Sequence, residues 1–205
     1  RPKQPAPDSA AQTKAREYFY QGVLAQSSGR TMEAFDLLRH ARALDPTDPA
    51  IAFMLGGNYA QQGVSDRALS LLEEAYGADS TNLTYARALS AGYIEAGRMQ
   101  DALHINERLS EADPEDDDVR YRLIQLYART GELKKGIQLA TELQKRFQPM
   151  PEAYGQLTKM KIQLLALSKD SVAVGREYRA WAALYPEDRR PYYDWILHLF
   201  QTGGA

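Results

Sequence analysis

The chain of 205 residues has no cysteine, which removes disulfides, thiolate metal sites and thiol nucleophiles at once. It has no apolar run near the roughly 18 residues that a bilayer-spanning helix needs. Histidine is scarce: His40, His104 and His198 are the only three. None lies four residues from another, and no His-Glu metal pattern accompanies them. Charge of one sign is not in excess either, with 25 Lys and Arg against 27 Asp and Glu and a net charge of −2. Whole-molecule attraction for nucleic acid or an anionic membrane is therefore not indicated. The glycines form no GxGxxG or P-loop spacing, and no Ser, His and acid set can be assembled from spacing. The acidic run "DPEDDD", Asp113 to Asp118, lacks the alternation and the bend glycine of a calcium loop. It reads as a solvated loop whose acids favour the start of the next helix. The expectation is a protein that is not an enzyme, holds no cofactor or metal, binds no nucleic acid and inserts into no membrane.

What the chain does have is a period. Gly29, Gly63, Gly97 and Gly131 are spaced by 34 residues. Leu55, Leu89 and Leu123 share that step, as do Tyr59, Tyr93 and Tyr127. Ala34, Ala68 and Ala102 follow it, and Gly136 keeps the fourth position small. Repeats of this length signal stacked supersecondary units. Inside one unit, Ala52, Leu55, Gly56 and Tyr59 recur at helical spacing, and Ala68, Leu71, Leu72 and Ala75 do so again. Between them, "QQGVSD" supplies Gly63 to end the first helix and Ser65 to cap the second. Asp48-Pro49 offers a cap and an N1 proline. Each unit is predicted to be a helix, a tight turn and an antiparallel helix. Small residues at Gly22, Gly56 and Ser90, facing Ala34, Ala68 and Ala102, let the two backbones approach.

At these residues the chain resembles the tetratricopeptide repeat family. Tyr18, Gly22, Ala34, Leu38, Ala41 and Pro46 match its pattern in the first unit. Leu55, Gly56, Tyr59, Ala68 and Leu72 match in the second, Leu89, Tyr93, Ala102 and Pro114 in the third, and Leu123, Tyr127 and Gly131 in the fourth. Asn106 stands where the family has a large apolar residue. The resemblance implies an all-α, right-handed solenoid of antiparallel helix pairs, with about five repeats and a final single helix. The units fall at 15–48, 49–82, 83–116, 117–150 and 151–188, with a half repeat at 189–202, as a single array. Residues 1–14, polar and proline-rich, read as a flexible lead-in. The fifth unit is longer by about four residues near "LALSKDSV". The last helix, with Gly203 as its terminator, would leave Tyr192, Trp195, Ile196 and Leu199 uncovered. That fits a segment of a longer chain or self-association through this helix; the alternative is a cap with its other side polar.

The resemblance further implies that the first helix of each pair forms a concave wall. A stripe one residue displaced from the core then faces the groove: Phe19, Phe53, Arg87 and Tyr121, with Tyr20, Met54, Arg122, Gln125 and Arg129 beside them. Small residues such as Gly57, Ala60, Ala91 and Ala128 floor it. Apolar anchors with a few arginine donors suit capture of a peptide or helix of a protein partner. The Lys and Asn set with which some family members clamp a terminal carboxylate has no counterpart at Phe19, Val23, Met54, Thr84 or Ala88. The runner-up function is a spacer or assembly segment of a larger envelope or signalling protein. The loop idiom and the Arg1-Pro-Lys start suggest a bacterial cell envelope, with cytoplasm as the alternative.

Overall fold

The computed structural model describes residues 9–202. These form eleven α-helices and no strand: α1 Ala10–Ser27, α2 Thr31–Leu44, α3 Pro49–Gln61, α4 Ser65–Ala78, α5 Leu83–Glu95, α6 Met99–Ala112, α7 Asp117–Thr130, α8 Leu133–Arg146, α9 Pro151–Leu167, α10 Ser171–Leu184 and α11 Arg190–Thr202. Residues 10–14 of the expected lead-in are the first turns of α1, started by a capping box between Ser9 and Gln12 that satisfies two otherwise orphaned amides. The rest of that lead-in, residues 1–8, and Gly203 lie outside the described residues. Where the sequence reads as one array, the contacts form two compact units that part after Leu109, inside α6.

The turn within each pair is built by one device. After α1, α3 and α5 the chain closes with a backbone bond from the residue after the glycine: Arg30 N to Ala25 O at 2.9 Å, Val64 N to Tyr59 O at 3.0 Å, Arg98 N to Tyr93 O at 2.8 Å. That closure needs a left-handed residue, and Gly29, Gly63 and Gly97 have φ of 74°, 75° and 74°. Ser65 does not cap α4. It is the first helical residue, Val64 holds the cap position, and no side chain bonds there, because the glycine turn itself fixes the entry. Between pairs the device changes. Asp45 and Asp79 each accept from the amide and hydroxyl of the threonine two residues on. The Thr81 hydroxyl and amide hold the Asp79 carboxyl below its usual range. Asp48, Asn82 and Asp116 then cap α3, α5 and α7. The acidic run is thus turn and cap, with Arg146 bridging Glu115 at 3.0 Å and Asp117 at 3.2 Å.

In the first unit each helix packs on the next, from α1 through α5. The helices of a pair approach where side chains are smallest. A Cβ on Gly56 would sit 3.2 Å from the Ala68 carbonyl, and one on Gly22 would sit 3.0 Å from Leu38 Cγ. Ala34, Leu38, Ala41, Ala68, Leu72 and Ala75 are buried. Asn106 takes the place of Leu38 and Leu72 one and two periods on. It donates to Ser90 Oγ at 2.5 Å and to the Ala102 carbonyl at 2.7 Å, while its own Oδ1 has no partner.

The second unit keeps the scheme with substitutions. Its extra residues lengthen the first helix of the pair: α9 has 17 residues against 13 in α3 and α5. Trp181 replaces the small Ala41 and Ala75 and is accommodated by Gly155, where a Cβ would come within 2.7 Å of its ring. Lys169 holds the left-handed position of the α9–α10 turn with φ 61°, and Asp170 N still bonds to Leu165 O at 3.0 Å. Two columns also change together. Tyr59, Tyr93 and Tyr127 each carry a cation over the ring, Arg67, Arg98 and Lys135 in turn. One period later stands Lys161, 9% exposed, paired with Glu177 at 2.7 Å. Glu177 occupies the place of Leu71 and Leu139. Gln144 joins them, accepting from Lys161 at 3.1 Å and donating to Thr158 at 2.8 Å.

Two outcomes are expected. Lys169→Gly relieves a left-handed non-glycine residue, worth about 1–2 kcal/mol less the added freedom of glycine when unfolded. It should stabilise the chain by roughly 0.5–1 kcal/mol in urea denaturation, while Gly63→Val costs at least about 1–2 kcal/mol. A destabilised Lys169→Gly overturns the assignment of strain. Glu177→Leu alone leaves a buried ammonium and should cost about 3–5 kcal/mol. Lys161→Met with Glu177→Leu should be neutral or more stable by up to about 4 kcal/mol. A double variant no better than the single one shows that the pair is not the source of the cost.

Candidate functional site

The residues read as the groove fall in both units, and each unit is taken by itself. In the first, Phe19 is half-buried and joins Tyr18 and Leu44 against Ala15, Ala41 and Ile51, so much of its ring is structural. Tyr20, 68% exposed, stands next to it. Phe53 is half-buried, with its ring centroid 5.0 Å from that of Tyr85 on the neighbouring α5. Met54 and Arg87 are half-buried on α3 and α5. In the second unit, Tyr121 packs against the cluster of Ile124, Leu143 and Leu157, 6.3 Å from the Phe147 ring. Arg122 is half-buried, and Gln125 and Arg129 are exposed on the same helix.

Of these, Phe53 lines a cavity of the first unit, a slot of about 220 Å³ between α3 and α5. Its lining explains its existence. The Phe53 and Tyr85 rings meet between the two helices. Gly57 and Ala60 on α3, with Ala88, Ala91 and Gly92 on α5, have too little bulk to fill the gap. Leu69 and Leu72 of α4, with Ala68, form the floor. Gly92 fits close against it, since a Cβ there would lie 3.2 Å from Leu69 Cδ1, whereas one on Gly57 would meet nothing within 4 Å. Ser65 and Glu95 complete the lining. Burial raises the Tyr85 phenol above its ordinary value, with the Asp48 and Asp79 carboxylates adding to the effect, so this phenol stays neutral and hydrogen-bearing well into alkaline solution. The slot is thus an apolar socket with a polar edge.

Of the cavities in the second unit, two flank features already described. One, of about 330 Å³, lies over the Lys161–Glu177 pair and is lined by Gln144, Lys145, Gln148 and Tyr154 among others. The other, of about 360 Å³, runs beside α11 and includes Val174, Trp195, His198 and Leu199. On α11 the expected uncovered face is corrected in one residue and widened by three. Trp195 is partly buried and stacks on Tyr178 at 6.0 Å with rings 8° from parallel. Tyr192, Ile196 and Leu199 are exposed, and so are Tyr193, Leu197 and Phe200.

The displaced stripe contained Phe53, Gly57, Ala60 and Ala91 but not Tyr85, Leu69, Leu72, Gly92 or Glu95. Tyr85 and the leucines carry core spacing, so nothing in the pattern set them apart. Several basic residues of the second unit are paired: Arg120 with Glu142, Lys135 with Glu132 at 2.7 Å, and Arg190 with Glu152 at 2.6 Å and Asp188 at 2.9 Å. Among the described residues, no group of three or more His, Cys, Asp or Glu is placed to hold a metal ion. No helix among them is long and apolar enough to cross a membrane.

Residues 93–159 match the model of a tetratricopeptide repeat family. No curated protein matches the chain. Solved structures do. YrrB, titled a TPR protein with an unusual peptide-binding site, aligns at TM-score 0.70 and 15% identity, over 91% of this chain and 97% of its own. MamA AMB-1 aligns at 0.68 and 21%, over 85% and 93%. A tetratricopeptide repeat protein from Parabacteroides merdae ATCC 43184 aligns at 0.69 and 18%, over 94% and 75%. At these identities the likeness is one of fold, an all-helical repeat.

Proposed function

We propose that the chain is a tetratricopeptide-repeat protein, a fold that mediates protein–protein interaction, and that it docks a segment of a partner protein in the groove faced by the first helices of its pairs. The observation that carries this is the slot beside Phe53. It is an unfilled apolar socket on the face where the sequence sets large aromatics over small residues, and pockets of this make-up anchor side chains of a bound segment. The peptide-binding site named for YrrB is in keeping with it. Tyr20 and Phe19 of the same unit would extend the contact beyond the socket; Tyr121, Arg122, Gln125 and Arg129 are the corresponding candidate residues of the second unit, taken by itself.

Plugging the socket tests the reading without disturbing the fold. Gly57 is helical and its Cβ direction is open, so Gly57→Leu gains helix propensity and fills the space. In affinity capture of a protein partner, Gly57→Leu and Phe53→Ala should each weaken retention about tenfold or more, the scale of a binding hot spot, with unchanged far-ultraviolet circular dichroism. Retention undiminished in both variants overturns the assignment.

A second reading rests on α11. Six large apolar side chains exposed on one helix form a patch of the kind that marks an interface, and self-association would cover it. Light scattering should then show mass rising with protein concentration, and Ile196→Lys with Phe200→Lys should return it to a single chain. A monomer at every concentration rules this out.

A further inference from the structure

The socket between α3 and α5 has one ionisable lining group. Glu95 is the last residue of α5, is exposed, and makes no ion pair among the described residues. The other wall cannot answer it, because α3, "PAIAFMLGGNYAQ", carries no charged side chain. Most neighbouring charges at this end of the pairs are already engaged: Arg98 with Glu73 and Asp101, both at 2.7 Å, and Arg67 against the Tyr59 ring and hydroxyl. Glu95 is therefore an unanswered carboxylate beside an apolar hole of about 220 Å³. That volume takes one aliphatic side chain of leucine or methionine size with room to spare. The walls of Phe53, Leu69 and Leu72 offer such a side chain only dispersion and desolvation, and the Ser65 hydroxyl carries no charge, so selection by charge at this point falls to Glu95.

Resting on the docking reading above, we infer that the segment this socket accepts carries an aliphatic residue with a lysine or arginine within two positions of it, the aliphatic side chain entering beside Phe53 and the cation meeting Glu95. In an extended segment, side chains two apart lie on one face about 6–7 Å from each other, a separation that lets anchor and cation reach the socket and its edge together. An acidic neighbour would instead face Glu95 as a like charge. The Glu95 contact is solvent-exposed, so its part is selection of the neighbour more than affinity, and it weakens with salt.

Selection of a random peptide library of about seven residues, displayed on phage, against the full chain at low ionic strength tests this. The expected result is enrichment of Leu, Ile or Met with Lys or Arg within two positions, a preference for the basic over the acidic neighbour of roughly five- to tenfold. Glu95→Lys should turn the preference toward Asp or Glu, and Gly57→Leu should abolish enrichment. Enrichment of an apolar residue with no charge preference, still abolished by Gly57→Leu, overturns this inference and leaves the docking reading standing. No enrichment above the Gly57→Leu background overturns the docking reading and this inference with it.

Discussion

Close approach of two helices at a seam of minimal side chains is the constraint on which everything else rests. At Gly56 and Gly22 there is no room for even one carbon without moving Ala68, Leu72 or Leu38. Packing at this distance fixes the pair angle and leaves the large residues nowhere to go but the flanks of the seam, so Tyr59, Tyr93 and Tyr127 sit beside it under their cations. Because a single repeat cannot bury its own apolar face, each pair needs the next. The polar links that join neighbouring pairs recur accordingly at nearly the repeat distance: Asn58 to Gln26 at 3.3 Å, Arg42 to Glu74 at 2.5 Å, Arg108 to the Tyr76 hydroxyl.

The second unit shows how far the constraint bends. Volume is conserved across the seam rather than within a column. Trp181 grows where Ala41 was, and Gly155 shrinks opposite it. Gly136 replaces Ala34 and Ala68, and the space is taken by Leu164 and Tyr127, whose nearest atoms would lie 3.0 Å and 3.1 Å from an added Cβ. Lys161 and Glu177 exchange an aromatic–aliphatic pair for an ion pair, with Gln144 and Thr158 filling the remaining hydrogen-bond capacity. Such a swap is tolerated only as a complete set, since any member alone would be buried without a partner.

The period, the helix pairs, the left-handed glycines and the cap at Asp48 could be read from the sequence, because each rests on a local rule; the caps at Asn82 and Asp116 were not read there and came from the structure. What was hidden depends on departures that happen once. Lys169 at φ 61° gives no local sign, as lysine is not a residue that left-handed turns select. Ser65 looked like a cap because the residue type and place were right, but the glycine turn before it leaves that position to Val64. Trp195 lay on the expected open face until its stacking on Tyr178 took it out. In the candidate site, Phe53 and the small residues around it were legible as a stripe. The division of labour between Phe53 and Phe19 was not, because both occupy one column and only packing tells them apart.

That difference between equivalent positions bears on function. Phe19 is drawn into the cluster around Ala15 and Ile51, and Tyr121 into the one around Ile124 and Leu157. At Phe53 the ring meets Tyr85, which stands one period after Ile51, so an aromatic side chain takes the place on the next first helix that a buried aliphatic one holds near Phe19. Beside that contact, small side chains of α3 and α5 and leucines of α4 line the socket. The socket thus lies where an aromatic contact stands next to a seam made of glycine and alanine. Remove either ring and the same small residues that keep the slot open become the reason it can collapse. The socket therefore rests on the pair Phe53–Tyr85 as well as on the residues of its floor.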